Sequence, residues 1–121
     1  MQAHATTYDE EAELAAEAQR YRDILRRRTR YYLAQRDAGV PRRGAAILDL
    51  VILGNLESCF LDMEALAEIM DLPRNAVRER VVELIRGGWV EVRHSQSGAG
   101  LYATEKAGTS AEHWLGIADA A

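Results

Sequence analysis

Cysteine is almost missing from this chain: Cys59 stands alone, so no disulfide can form within the chain and no multi-cysteine zinc site can be built. That usage fits a reducing cytoplasm and excludes a disulfide-held extracellular scaffold. Cys59 itself, among apolar neighbours, is expected to serve packing, with redox sensing as the lesser alternative. Lys and Arg are absent from the first nineteen positions. The opening Met1-Gln2-Ala3-His4-Ala5-Thr6-Thr7 therefore lacks the basic start and apolar core of a signal peptide. The apolar run from Ala45 to Leu53 is too short to span a bilayer, so no membrane partner is expected. Catalytic constellations are lacking as well. His4, His94 and His113 are scattered, no glycine-rich phosphate loop occurs, and no Ser, Cys or acid pair stands in a recognisable catalytic setting. These absences point to a cytoplasmic protein that is not an enzyme and uses neither metal nor cofactor.

What is present suffices for one domain with an added helix, since 121 residues and 48% hydrophobic composition support one core but not two. The central stretch runs from Asp62 to Thr104. Asp62 can cap a helix with its carboxylate, and Leu66, Ile69 and Met70 give that helix an apolar stripe. Asp71-Leu72-Pro73 ends it, and a second helix starts near Pro73, whose missing N–H is harmless in a first turn. In that helix Val77, Val81, Leu84 and Ile85 form a stripe that must be buried. Asn75, Glu79, Val82 and Arg86 lie opposite, with Arg74 and Arg78 flanking. Gly87-Gly88 closes the helix, and Trp89 to Arg93 alternates like a strand. His94 to Gly100 reads as a flexible turn, and Leu101 to Thr104 as the returning strand. Helix, turn, helix and hairpin make a winged helix, with Trp89 as a structural residue.

Ahead of it, Asp9 to Ala38 reads as one long helix, free of Gly and Pro and stopped by Gly39 and Pro41, behind a disordered start at residues 1–8. Leu14, Ala18, Tyr21, Leu25, Arg28 and Tyr32 follow an approximate heptad, an apolar seam interrupted by Arg28. A helix of about 30 residues is about 45 Å long, more than one such domain can cover, which implies a second subunit. Pro41 to Gly44 opens the next helix, expected to be the central buried one. Arg42 and Arg43 at its start are either phosphate ligands or solvated. Glu57 to Leu61 leads onward through a short strand beside the wing. Glu105 to Ala118 forms a last helix docked on the first, in the same subunit or its partner.

Charge is sharply partitioned under a net value of −4. Residues 1–19 hold five acids, Arg20 to Arg43 hold nine arginines against Asp23 and Asp37, and residues 44–121 hold twelve acids against six basic groups. The arginines of the first helix have two readings, a solvated face or a nucleic-acid contact.

The order of elements and the stretch Met63 to Val90 resemble bacterial winged-helix transcription regulators, most closely the MarR-like group. Leu72-Pro73-Arg74-Asn75-Ala76-Val77 is also similar to the start of the recognition helix in IclR-like regulators. Tyr102-Ala103-Thr104-Glu105-Lys106-Ala107-Gly108 looks like the strand-to-helix junction that reads L-T-E-K-G in the MarR-like group, with the glycine one place later. The family's D-x-R of the wing has no counterpart between His94 and Gly100.

The expected fold is mainly α with a small β-hairpin wing: a long dimerisation helix at 9–38, a winged helix-turn-helix at 40–104, and a C-terminal helix and tail at 105–121. The resemblance implies a homodimeric regulator that binds double-stranded DNA. Asn75, Arg78 and Glu79 are the candidates for base edges. Arg42, Arg43, Arg74 and Arg93 are the candidates for phosphates, and Leu14, Tyr21, Leu25, Tyr32 and Trp114 for the dimer interface. Whether a small-molecule effector binds is left open. The competing reading is a winged-helix module that binds protein and never touches DNA, favoured by the net acidity.

Overall fold

The computed structural model describes residues 2–96 and 98–120, with side chains described from Asp9 onward. Five helices and one hairpin follow in the order α1 (Gln2–Asp37), a 3-10 turn (Arg42–Gly44), α2 (Ala45–Leu56), α3 (Met63–Met70), α4 (Arg74–Arg86), β1 (Val90–Ser95), β2 (Gly98–Ala103) and α5 (Glu105–Asp119). Helix α1 begins at Gln2 rather than Asp9, so its backbone is helical through most of the stretch expected to be disordered. Met1 and the side chains of residues 2–8 lie outside the described set.

The core is built where the apolar stripes of α2, α3 and α4 converge. Ile47, Leu48 and Val51 meet Leu66, Val77, Val81 and Leu84, all buried. Trp89, Val90 and Leu101 add the base of the wing. Ile85, expected in the stripe, lies exposed, and Val82, expected on the solvent face, is half-buried: the buried face of α4 is centred on Val77, Val81 and Leu84. Helix α2 is buried along one face, at Ala45, Ile47, Leu48, Val51 and Gly54, while Leu53 is 50% and Leu56 78% exposed. Gly54 has to be glycine, since the Cys59 carbonyl oxygen lies 2.4 Å from where its Cβ would stand. Cys59 is itself exposed rather than packed, because the chain turns outward there with Ser58 at a positive φ.

The sheet is a two-stranded antiparallel ribbon paired from Val90↔Ala103 to Ser95↔Gly98. His94, Ser95, Gly98, Ala99 and Gly100, expected in the turn, are thus paired strand, and Ser97 lies outside the described residues. The short strand expected at 57–61 reduces to one backbone bond, Leu101 N–H donating to Leu61 O at 2.9 Å. Asn55 does the rest of that work from α2. Its amide donates to Leu101 O at 3.1 Å and accepts from Ala103 N–H at 2.7 Å, like a one-residue strand on the free edge of β2.

Helix α5 packs against α1 of its own chain. Thr104 caps it, accepting from Ala107 N–H at 3.2 Å while its hydroxyl donates to Gly88 O at 2.6 Å. Lys106 donates to Gly87 O at 2.8 Å and lies 4.0 Å from the centre of the Trp89 ring, so the Thr-Glu-Lys junction ties α5 to the end of α4. Trp114 contacts Trp89 at 5.6 Å and Tyr31 at 5.9 Å between ring centres. At 1% exposure it is a core residue of one chain and not a dimer-interface residue, because the i, i+3/i+4 face carrying Ala107, Ala111 and Trp114 turns inward. Arg27 holds Asp119 at 2.6 Å and Arg30 donates to Ala120 O at 2.6 Å, fixing the far end of α5. Among the described residues no helix is long and apolar enough to cross a membrane.

Candidate nucleic-acid interface

Helix α3 starts where Asp62 Oδ1 accepts from Ala65 N–H at 2.8 Å, and it ends at Asp71, which takes the left-handed conformation at φ 52°. Asp tolerates that region better than most side chains, so the turn forms without glycine. Leu72 N–H closes onto Ala67 O at 3.1 Å, and Pro73 sits one residue ahead of α4. Burial of Val77, Val81 and Leu84 then orients α4, turning Arg74, Asn75, Arg78 and Glu79 outward. The four are brought together on one exposed face. Among the described residues Arg74, Asn75 and Arg78 make no side-chain hydrogen bond or ion pair, so their donors stay available for a ligand. Amide and guanidinium groups on a helix face suit the edges of adenine and guanine in a major groove.

The remaining basic candidates are placed differently. Arg43 is paired with Glu83 of α4, and that carboxylate raises the Arg43 pKa above its ordinary value. The pair ties the 3-10 turn to α4, so the guanidinium expected to meet a phosphate has a carboxylate partner within the chain. Arg42, its neighbour, lines a groove with residues of α1, α2 and α5 and none of α3 or α4. Arg93 donates to Glu91 through Nε at 2.8 Å and lies 4.4 Å over the Tyr102 ring, which stacks on Phe60 at 4.6 Å. It too is engaged within the chain, because β1 puts positions 91 and 93 on one face.

Helix, turn, helix and an antiparallel hairpin flanked by packed helices decide the architecture. The fold is a winged helix. The crystal structure of the YusO protein from Bacillus subtilis is similar to it, with a TM-score of 0.60 at 16% identity over 88% of this chain and 76% of YusO. The structure of disulfide-formed AbfR is similar as well, with a TM-score of 0.56 at 18% identity over 94% of this chain and 79% of AbfR. No protein-family model and no curated protein matches the sequence.

A polar cluster that sequence reasoning missed lies at the join of α1 and α2. Gln35, 2% exposed, donates to Asp49 Oδ1 at 2.8 Å, and the Tyr31 hydroxyl donates to the same oxygen at 3.2 Å. Burial pushes the Asp49 carboxyl above its ordinary value, with the two hydrogen bonds opposing. Tyr31 is raised as well, first by burial and then by the neighbouring carboxylate. The one signal in the sequence was Asp49 inside an apolar run, which a buried helix tolerates only with partners.

The interface candidates of α1 divide. Leu14 and Tyr21 are 65% and 64% exposed, and Leu25 and Tyr32 are less so, at 38% and 36%. From Ile24 to Gln35, α1 forms one wall of an open groove of about 900 Å³, with Ile52, Leu53 and Leu56 of α2 and Leu115 of α5 as the other walls.

Proposed function

We propose that the protein is a homodimeric, sequence-specific DNA-binding transcription regulator that inserts α4 into the major groove. The observation that carries this reading is the outer face of α4, where Arg74, Asn75 and Arg78 stand exposed and unpaired on a helix anchored by Val77, Val81 and Leu84. Asn75 and Arg78 read base edges, Glu79 accepts from cytosine or repels wrong sites, and Arg74 positions a phosphate. Arg43 and Arg93 already hold carboxylates and Arg42 lies in the groove beside α1, so Arg74 carries more of the phosphate role than sequence reasoning assigned to it. The MarR-like resemblance of Met63 to Val90 and the likeness of fold to YusO and AbfR support the same reading.

Dimerisation is part of it. Every described side chain from Asp9 to Arg30 is exposed, an arrangement that suits a helix paired with a second copy. Selection of bound sequences from a random duplex pool tests the proposal. Enrichment of a palindrome is the expected outcome, and a pool that stays random after several rounds refutes it.

A second reading, a winged-helix module that binds protein, is favoured by one observation: the pairs Arg43–Glu83 and Arg93–Glu91 leave the flanks of α4 poorly basic, whereas phosphate contacts carry much of most DNA affinity. It becomes the better account if the selection fails while the protein remains a folded dimer.

A further inference from the structure

We infer that the two α1 helices of the dimer run antiparallel about an axis near Tyr21, each laying its acidic residues 10–18 into the other chain's groove between α1, α2 and α5. The inference rests on the homodimer reading and adds its orientation, its register and the occupant of the groove.

The first ground is the distribution of charge along one helix. Residues 9–17 carry five carboxylates and no basic group, and Arg20 to Arg36 carry seven arginines against Asp23. Parallel pairing sets acids against acids and Arg28 against Arg28. Antiparallel pairing sets each acidic end beside the other helix's basic half, where opposite charges attract.

A second ground is length. At 1.5 Å per residue the 36 residues of α1 extend about 54 Å, and α5 with 15 residues extends about 22 Å. The ties between them, from Arg27, Arg30 and Tyr31, all lie in the last third of α1, and every described side chain before it, from Asp9 onward, is exposed.

Register follows from the seam. Leu14, Ala18, Tyr21, Leu25 and Arg28 are spaced almost symmetrically about Tyr21, so an antiparallel pair sets Leu14 opposite the partner's Arg28, and Ala18 one position from facing the partner's Leu25. Arg28, which interrupts an apolar seam without reason inside one chain, then lies among the partner's Glu10, Glu11 and Glu17. The partner's Leu14 meets Leu53 and Leu56, the apolar residues of α2 that are otherwise half or more exposed. Arg28 and Arg42 are the groove cations without an intrachain carboxylate partner among the described residues, and they face this acidic segment. Arg27, also in the groove wall, is already held by Asp119.

The test uses full-length protein in a Cys59→Ser background, with Leu14→Cys and Arg28→Cys in separate chains of different tag length. Leu14 and Arg28 are both exposed, so neither change disturbs the core. The two chains are mixed, allowed to exchange and mildly oxidised. The expected result is a disulfide-linked dimer containing one chain of each kind, a band shifted to the summed mass, with little self-linked product from either chain alone. Efficient self-linking of Leu14→Cys chains means parallel helices and overturns the inference. Sedimentation of the same proteins under reduction separates the remaining outcomes. A dimer that links in neither way keeps the homodimer reading and refutes this register, and a persistent monomer refutes the homodimer reading itself.

Discussion

At the scale of single residues, burial and pairing decide which polar side chains are free to act. Asn75 and Arg78 stand on α4 without intrachain partners, so replacing either by alanine should lower affinity for the selected site by about 1 to 3 kcal/mol and relax its sequence preference. Isotherms on selected and scrambled duplexes check this, since only the selected one should weaken. Arg74→Ala should weaken all duplexes alike and reduce the log–log salt slope by about 0.9. Arg43→Ala should leave that slope unchanged, because its guanidinium is already committed to Glu83. Asp49 follows a different logic. Its pKa is raised mainly by burial, so its contribution to stability is full below the ordinary Asp value and is lost as pH rises through the raised one. Asp49→Asn keeps an acceptor for Gln35 and Tyr31 and has no charge to bury, so its stability relative to the parent should increase from pH 4 to pH 7. Urea denaturation at the two pH values measures that difference, and a constant offset would rule the account out.

Among the elements, the wing depends on a residue outside it. Asn55 of α2 supplies both hydrogen bonds that a third strand would give to Leu101 and Ala103, and Leu61 supplies one more. Asn55→Ala leaves a part-buried carbonyl and amide unpaired, which should cost about 1 to 3 kcal/mol. Faster hydrogen exchange at the Ala103 amide, with the α4 amides little changed, is the expected signature. Boundaries of α3 and α4 were readable because their signals are local: the Asp62 cap, the break at Asp71-Leu72-Pro73 and the glycines after Arg86 all act through neighbouring backbone. The ends of the hairpin were not, because His94, Ala99 and Gly100 carry weak strand preference and are held in register by the cross-strand ladder.

For the molecule as a whole, two substitutions separate the core of one chain from its pairing with another. Leu25→Glu puts a charge in the α1 seam and should yield a folded monomer, whose sedimentation matches 13.5 kDa. Trp114→Ala empties the junction of Trp89 and Tyr31 and should lose about 3 to 5 kcal/mol of chain stability, seen as a lower melting temperature. A melting temperature unchanged by Trp114→Ala would contradict its placement in the core.

The sequence by itself determined the winged helix, since the stripe of Val77, Val81 and Leu84, the turn residues before α4 and the break at Gly39 and Pro41 each act over a few neighbouring positions. It also located most of the exposed face of α4, because helical periodicity assigns Asn75, Glu79 and Arg86 to the side away from that stripe and Arg74 and Arg78 to its flanks, although Val82, assigned to the same side, is half-buried. Tertiary structure alone decided which charges are spent. Arg43 meets Glu83 across 40 positions, Arg27 meets Asp119 across 92, and Asp49 finds Gln35 and Tyr31 on another helix. It likewise moved Trp114 from an interface to the core and brought Cys59 to the surface. Such outcomes depend on which faces meet after the chain folds back on itself, and neither periodicity nor composition encodes that distance.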